Sequence, residues 1–289
     1  MSSTWIGARK CGRIADPASR AAASANSANA AFADFALGAA RDAGAAILPH
    51  FRAPIQVDDK GGARGYDPVT EADRAAEEVI RAAVQRRYPE HGIHGEEHGR
   101  RAGSAAYTWV IDPIDGTRSF ILGQLHWGTL IALNDGARPI VGVMHQPYVD
   151  ESFVAFDGRA EWRRGEARRT LQTRSCPRLE DAVVASTDPR HFKSARQVAA
   201  YTAATRSARL VRFGGDCYCY TQCAMGLVDI VIETGLAAYD VQALIPLIEN
   251  ARGVVSNWEG GRCDQGGDVL ACGDPALHAL LLRAIAETA

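Results

Sequence analysis

Apolar and polar residues alternate with different periods in the two parts of this chain. Over residues 30–51 the apolar positions recur at three- and four-residue steps, which predicts a helix that Pro54 closes. A second helix is predicted over 70–88, because Thr70 can serve as its N-cap and Asp73 as its capping-box partner. Short apolar runs bounded by turn residues then predict mainly strands. These strands begin at 92 and continue at 107–111, 127–133, 140–146 and 152–156, with a charged hairpin over 157–169.

After about residue 170, strands and helices alternate. The continuous apolar run at 182–187 is typical of a strand buried on both faces, and regular alternation favours an α/β arrangement. We therefore expect residues 30–170 to form an α+β half with an antiparallel sheet, and residues 171–289 to form an α/β half. The predicted elements of the second half are strands 182–187, 208–213, 229–234, 253–258 and 268–273, and helices 192–205, 215–226, 240–251 and 275–287.

The first residues have a composition of their own. Residues 21–31 contain only alanine, serine and asparagine, which offers few large apolar side chains to a core. We expect residues 1–29 to be a disordered or loosely helical extension that is dispensable and has no catalytic role. A misassigned start codon would explain this segment equally well.

Composition excludes several classes of protein. The chain has 289 residues, 47% of them hydrophobic, and a formal net charge of −2, so it has no overall basic character for binding nucleic acid. No apolar run approaches the roughly 20 residues of a membrane helix, and the first thirty residues lack a signal-peptide core. Seven cysteines, an odd number, fit reduced thiols. We expect a cytoplasmic protein that binds neither nucleic acid nor membranes.

Four short segments place acidic residues at the end of a predicted strand or the start of a predicted helix. Acidic side chains are rarely buried without partners, and a hard divalent cation such as Mg²⁺, which prefers oxygen ligands, would be a common counter-charge. Taken singly, each segment fits an ordinary surface loop or an Asx-turn. Their occurrence together indicates a metal site. The segments are TEAD (70–73), GEE (95–97), DPIDGT (112–117) and YD (239–240).

The DPIDGT segment predicts a combined metal and phosphate site. Asp112 and Asp115 can each offer a carboxylate, and the proline between them bends the chain so that the carbonyl of Ile114 can face the same ion. Gly116 permits a close approach of the backbone. Its N–H and that of Thr117 would begin a helix and can bind phosphate oxygens.

These motifs resemble those of the inositol monophosphatase-like family of Mg²⁺-dependent, lithium-sensitive phosphatases. The family pattern is an apolar strand followed by D-P-[I/L]-D-G-T, and this chain has VIDPIDGT, with G-E-E upstream and Y-D downstream. The resemblance covers about residues 30–289. It implies a layered α-β-α-β-α sandwich of the inositol monophosphatase and fructose-1,6-bisphosphatase type, a small phosphate monoester as substrate, and a homodimer.

The resemblance also implies which residues hold metal. Two or three Mg²⁺ ions, for which Mn²⁺ would substitute, would bind at the acidic segments. Glu96, Asp112 and the carbonyl of Ile114 would hold the first ion, and Asp112, Asp115 and Asp240 would hold the second.

Catalytic roles follow from the same resemblance. Glu97 and Asp73 would orient or deprotonate waters, and Thr117 would position the attacking water together with Glu97. Gly116 and Thr117 would bind phosphate. The metal ions would lower the pKa of a bound water and neutralise charge on the phosphate, and in-line attack would follow without a covalent enzyme intermediate.

Other segments resemble the histidinol-phosphate phosphatase branch of this family: TRSFILG, HWGTLIAL, STDPRHF and RFGGDCY. L-Histidinol carries an ammonium and an imidazole, so its pocket should contain acids. Asp216 and Glu233 are predicted beside the leaving group. Asp216 would otherwise be a helix N-cap, and Glu233 would bind inositol hydroxyls equally well. Arg118 would contact either the phosphate or a partner subunit.

The leading hypothesis is a Mg²⁺-dependent phosphatase that hydrolyses L-histidinol phosphate in histidine biosynthesis. The alternative is an inositol-1-monophosphatase or a broad sugar-phosphate phosphatase, and a nucleotide 3′-phosphatase comes third. A catalytically inactive binding protein is a hypothesis of a different class, but every expected acid is present. Lys60 and Asp67 are expected on a loop that closes over the metals.

Overall fold

The computed structural model describes residues 17–61 and 68–287, with side chains from residue 28 onward. Within these ranges the helices are α1 (Pro17–Ile47), α2 (Glu71–Arg87), α3 (Thr117–Ile121), α4 (Ala195–Thr205), α5 (Cys217–Ala224), α6 (Ala238–Val241), α7 (Leu244–Asn250) and α8 (Pro275–Ala286). The strands are β1 (Val57–Asp59), β2 (Pro68–Thr70), β3 (Gly92–Gly95), β4 (Gly99–Arg101), β5 (Thr108–Asp115), β6 (Gly128–Asn134), β7 (Pro139–Gln146), β8 (Glu151–Phe156), β9 (Arg159–Arg164), β10 (Ala167–Thr170), β11 (Val183–Ser186), β12 (Leu210–Phe213), β13 (Ile230–Leu236), β14 (Val254–Asn257) and β15 (Gly267–Cys272).

Two large sheets organise these strands. The eight-stranded sheet has the order β10-β9-β8-β7-β6-β5-β3-β4 and is antiparallel except between β3 and β5, which run parallel. The five-stranded sheet has the order β12-β11-β13-β15-β14. Its strands are parallel on both sides of β11 and antiparallel on both sides of β15. A separate two-stranded ladder joins β1 to β2 and leads into α2.

Three hydrophobic cores stack the sheets and helices into layers. Helices α1 and α2 cover one face of the eight-stranded sheet, where Ile80, Trp109 and Ile131 are buried. Helices α5 and α7 lie between the two sheets, with Leu130 and Leu247 in their core. Helices α4 and α8 cover the outer face of the five-stranded sheet. The order of layers is α-β-α-β-α, and this confirms the predicted fold class.

The N-terminal helix begins at Pro17 rather than at residue 30. The alanine-rich composition of 21–31 has a high helix propensity, so the helix can extend beyond the part that packs on the sheet. The remainder of the predicted extension, residues 1–16, lies outside the described residues, and so does Asp67. The dispensability of 1–29 stays a prediction. Among the described residues, none of the helices has both the length and the apolar composition needed to cross a bilayer.

Strand β5 runs through the acidic segment, whereas the sequence predicted that it would end before Asp112. Residues three apart on a regular strand point to opposite faces. Here the pairing of β5 with β6 shifts register between Asp112 and Asp115, and the N–H of Ile114 donates to the carboxylate of Asp112 at 3.1 Å. This irregularity directs both carboxylates to one site.

The predicted helix 240–251 is also wrong, since the structure has two helices there. The short α6 carries Asp240, and α7 begins at Leu244. A continuous helix would need the N–H of residue 246 to donate to the carbonyl of Gln242, but residue 246 is proline and has no N–H.

Gly142 of β7 lies against Ala243, the residue that precedes α7, and so allows α7 to pack on the eight-stranded sheet. A Cβ added at Gly142 would lie 2.1 Å from the carbonyl oxygen of Ala243, so backbone would have to move. We expect Gly142→Ala to lower the free energy of unfolding by about 2–3 kcal/mol, measured by urea denaturation. The matched control is Gly38→Ala on the exposed face of α1, where an added Cβ meets nothing within 4 Å. That change should raise stability by about 0.5–1 kcal/mol, and a neutral Gly142→Ala would contradict the proposed contact.

The buried His145 of β7 should make the stability of the fold depend on pH. It is buried beneath α1 and bonds Ser152 at 2.9 Å. Burial, reinforced by the charge of Arg41, lowers its pKa from 6.5 to about 4. Between these pH values the unfolded chain binds a proton that the folded protein does not, so stability falls as the pH falls.

We expect the wild type to lose about 3 kcal/mol more than His145→Asn between pH 7 and pH 4. Asparagine can still bond Ser152 but does not titrate. Denaturation series at several pH values would measure the difference. Parallel stability profiles for the two proteins would contradict a lowered pKa of His145 in the folded protein.

Candidate active site

A cavity of about 460 Å³ opens where the eight-stranded sheet meets the second half of the chain. Its acidic end is formed by the end of β5, by the GEE turn after β3 and by α6. Its other end is formed by residues that follow β11, by the start of α5 and by β13. Carboxylates from both halves therefore face one space. The lining residues include Glu96, Asp112, Asp115, Gly116, Thr117, Arg118, Thr187, His191, Asp216, Glu233 and Asp240.

Three aspartates converge at the acidic end. Asp112, Asp115 and Asp240 each bring a carboxylate oxygen within 4.8 Å of the others. Asp112 and Asp240 are buried, with 2% and 9% of their surface exposed. The Asp240 carboxylate accepts the N–H of Ala237 at 2.8 Å, which fixes it at the start of α6. The structure thus brings together the three aspartates that were predicted to hold the second metal ion.

Glu96 joins this cluster from β3. Its N–H donates to the carbonyl of Ile111 at 3.2 Å, so the GEE turn is held beside β5. Burial raises the pKa of Glu96, and Asp240 acts in the same direction. Lys60 opposes this rise, because its ammonium lies 2.8 Å from Glu96 and 2.9 Å from Glu97.

The carboxylates of the cluster repel one another, and a bound cation would offset this repulsion. Burial, followed by repulsion from Glu96, Asp115 and Asp240, raises the pKa of Asp112 well above its usual range. Burial and the charges of Asp216 and Asp240 do the same to the pKa of Asp115. All the converging donors are carboxylate oxygens, the ligands that hard divalent cations prefer. The residues present therefore fit a divalent metal ion.

Asp73 is held next to this cluster by the start of α2. Its Oδ2 accepts the N–H of Thr70 at 2.8 Å and the hydroxyl of Thr70 at 2.5 Å, as the predicted capping box requires. Burial raises the pKa of Asp73 to about 6. Its Oδ1 lies 3.5 Å from the hydroxyl of Thr117, and that hydroxyl donates to the carbonyl of Ile114 at 3.0 Å. A carbonyl oxygen has two lone pairs, so the Ile114 oxygen retains one for a metal.

Gly116 connects the aspartates to α3 and is held in a conformation that favours glycine. Its φ is 89°, and an added Cβ would lie 2.6 Å from the carbonyl oxygen of His126. Thr117 is then the first residue of α3. The backbone amides of Gly116 and Thr117 are predicted to donate hydrogen bonds to phosphate oxygens, and both residues line the cavity.

Asp216 lies beside Gly116, and its side chain does not cap α5. Within the described chain its carboxylate makes no capping bond to that helix, and it accepts the hydroxyl of Ser119 at 3.0 Å instead. The carboxylate of Asp115 takes the first amide of α5, from Cys217, at 2.7 Å. The alternative that Asp216 is only a helix cap is therefore wrong. Burial raises the pKa of Asp216, while Ser119 opposes the rise.

Glu233 and Arg118 complete this end of the cavity. One oxygen of Glu233 accepts the N–H of Thr187 at 2.6 Å and its hydroxyl at 2.9 Å. Arg118 contacts the ring Nε2 of His191 at 3.1 Å. Thr187 and His191 belong to the STDPRHF segment, but neither was predicted to be a site residue. This end of the cavity therefore contains the guanidinium of Arg118 and the imidazole of His191 as well as the two predicted acids.

Glu77 was also missed by the sequence analysis. It lies on the buried face of α2, where its carboxylate accepts the N–H of Glu97 at 2.6 Å and that of His98 at 3.2 Å. Arg81 donates to the same carboxylate at 2.6 Å. A Cβ on Gly95 would lie 1.9 Å from Glu77, so glycine permits this contact. The signal in the sequence was an acid among the apolar positions of an amphipathic helix.

We expect Glu77→Gln to lower the free energy of unfolding by about 2–3 kcal/mol. The new amide would place donors against backbone N–H groups and would leave Arg81 without its charge partner. The control is Glu78→Gln, because Glu78 is the next residue and its side chain is 71% exposed. Thermal denaturation of both variants measures the difference, and equal melting temperatures would show that Glu77 does not hold the GEE turn.

Comparisons with known proteins identify the family of this chain. The profile of the inositol monophosphatase family matches residues 28–288. The chain is 39% identical over 253 residues to the bifunctional phosphatase IMPL2, chloroplastic, of Arabidopsis thaliana, which covers 84% of this chain and 71% of the relative. It is 32% identical over 251 residues to the histidinol-phosphatase of Chlorobaculum parvum, with coverage of 86% and 95%.

A solved structure gives the same result. An inositol monophosphatase from Zymomonas mobilis superposes with a TM-score of 0.77 at 37% identity, covering 88% of this chain and 96% of that one. The family is generally metal-dependent and acts on small phosphate monoesters. The predicted family resemblance is confirmed: this chain belongs to the inositol monophosphatase family of phosphatases.

Proposed function

We propose that this protein is a Mg²⁺-dependent phosphatase that hydrolyses L-histidinol phosphate to L-histidinol and phosphate. The observation that carries the proposal is the carboxylate of Asp216, which lines the cavity and bonds Ser119 rather than its own helix. A half-buried acid at this place suits the ammonium of histidinol, whereas a neutral polyol would gain only hydrogen bonds from it. The similarity to histidinol-phosphatases supports the same substrate.

The acidic end would hold the metal. Glu96, Asp112 and the carbonyl of Ile114 would hold one Mg²⁺, and Asp112, Asp115 and Asp240 would hold a second. A third ion would be accommodated by the same acids, and Mn²⁺ would substitute. When bound, these ions lower the pKa of a coordinated water and neutralise charge on the phosphate and on the leaving oxygen.

Residues of the chain would orient the reacting groups. Thr117 is placed between the Ile114 carbonyl and Asp73, so its oxygen can position the attacking water together with Glu97. Asp73, with a pKa raised to about 6 by burial, would take part in moving a proton near neutral pH. The amides of Gly116 and Thr117 would hold phosphate oxygens.

The other end of the cavity would recognise the leaving group. Asp216 and Glu233 would receive the histidinol ammonium and imidazole, and each acid is kept in place by a hydroxyl donor, from Ser119 and Thr187 respectively. Arg118 would contact the phosphate, because it directly follows Thr117 and lines the same cavity.

An inositol-1-monophosphatase or broad sugar-phosphate phosphatase is the second candidate. The observation that favours it is the mixed lining of the cavity, in which Arg118 and His191 lie opposite the acids. Glu233 would bind sugar hydroxyls as readily as an ammonium. The similarity to an inositol monophosphatase from Zymomonas mobilis also supports this candidate.

We also propose a homodimer. Strand β12 is an edge of the five-stranded sheet, where it pairs with β11. Its residues Leu210 and Phe213 are 44% and 47% exposed. Unprotected apolar edge strands are uncommon on monomers, and a second copy would cover this one.

Substrate choice is tested with Asp216→Asn, which keeps an oxygen for Ser119 and tolerates the positive φ of 44° at this position. Hydrogen bonds to charged groups contribute about 1.5–3 kcal/mol. We therefore expect kcat/KM for L-histidinol phosphate to fall about 10- to 100-fold, measured by phosphate release. For inositol 1-phosphate the change should stay within about threefold.

The wild type should prefer L-histidinol phosphate, and lithium should inhibit it on either substrate. As a control, Asp112→Asn should abolish phosphate release from both. A wild-type preference for inositol 1-phosphate, or an equal loss on both substrates in Asp216→Asn, would refute the substrate assignment and leave the reaction class in place.

A further inference from the structure

Lys60 makes direct contacts with the acidic cluster from an element outside it. Its Nζ lies 2.8 Å from Oε1 of Glu96 and 2.9 Å from Oε1 of Glu97. Lys60 follows β1, which pairs with β2 and so lies against the start of α2. The lysine side chain is 30% exposed, whereas that of Glu97 is 5% exposed. Two partly buried carboxylates are thus bridged by one ammonium.

The ammonium stays charged in this setting. Burial is the largest single influence and lowers the pKa of Lys60, but the charges and hydrogen bonds of Glu96 and Glu97 together raise it above its usual value. A lysine ammonium is a compact point charge on a flexible stem. It therefore offsets part of the negative charge of the cluster and can also leave without breaking a rigid geometry.

We propose that Lys60 is the resident counter-ion of the acidic cluster, and that a divalent cation binding at Glu96 takes the place of its ammonium. The inference rests on the proposed role of Glu96 as a metal ligand. Metal binding is then an exchange of one cation for another, and the affinity for metal includes the work of releasing Lys60.

The two cations would compete for the same oxygen of Glu96. A coordinating oxygen lies about 2.1 Å from Mg²⁺, and the ammonium lies 2.8 Å from the same oxygen. A metal that shares Oε1 of Glu96 with the ammonium would lie no more than about 5 Å from it, a distance at which a dication and a monocation in a partly buried site repel strongly. The ammonium has to move away from Glu96 when the metal arrives.

Arg74 provides the contrast. It lies one residue after Asp73 and its charge reaches Glu97 and Asp73, but its guanidinium bonds Asp58 at 2.8 Å and is largely exposed. Removing Arg74 deletes a positive charge near the cluster without deleting a contact to Glu96. A general effect of charge would appear in variants of both residues, whereas exchange at Glu96 concerns Lys60 alone.

The first test uses the wild-type chain, which contains three lysines, Lys10, Lys60 and Lys193. Acetylation of each amine is followed by mass spectrometry, with and without saturating Mg²⁺. Without metal, Lys60 should react slowly. With Mg²⁺ its rate should rise severalfold, because the amine leaves the two carboxylates that cover it and becomes accessible to the reagent. Lys193, which lines the far end of the cavity, serves as the reference and should change less than about twofold.

The second test measures Mg²⁺ binding by calorimetry. Lys60→Met should bind Mg²⁺ about tenfold more tightly than the wild type, and Arg74→Met should stay within about twofold of it. Circular dichroism confirms that each variant is folded. Mg²⁺ binding with unchanged Lys60 labelling and equal affinity in Lys60→Met would overturn the exchange while leaving the metal site intact. Absence of Mg²⁺ binding in both proteins would overturn the proposed metal site and the exchange with it.

Discussion

The crowding of carboxylates in a partly buried space is the constraint on which the rest of this structure depends. Asp112, Asp115 and Asp240 place oxygens within 4.8 Å of one another, and burial adds to their repulsion. A fold tolerates such a cluster only if its backbone is held firmly and its charge is offset. Two features hold the backbone: the register shift in β5, and the hydrogen bond that fixes Asp240 at the start of α6. The ammonium of Lys60 offsets part of the charge.

The cluster also joins the two parts of the chain. The carboxylate of Asp115 takes the first amide of α5, and Gly116 packs against Asp216 from the same segment. The strand that supplies Asp112 and Asp115 is thereby tied to the segment that carries Asp216. A metal at one end and a leaving group at the other can then be held at a defined separation, which is what positioning a phosphate monoester requires.

Sequence patterns predicted the elements whose signal is local. The capping box of Thr70 and Asp73 and the acidic segments are visible in residue spacing, and the family resemblance of those segments implied the α-β-α-β-α layering. The patterns were wrong where distant packing decides. The end of β5 depends on its pairing with β6, and the side chain of Asp216 turns to Ser119, 97 residues away. Glu77 was overlooked because its partners, the amides of Glu97 and His98, are not its neighbours in the chain.

The sequence by itself determined the family, the layered fold and the set of acids that face the cavity, because these follow from short motifs and from the periods of apolar residues. Only the tertiary structure decided how the acids are used. It showed that two aspartates three residues apart share one site through an irregular strand. It also showed that Lys60 bridges two glutamates more than thirty residues away. The reason is physical: a carboxylate carries the same charge wherever it stands, but its solvation and its partners exist only once the chain has folded.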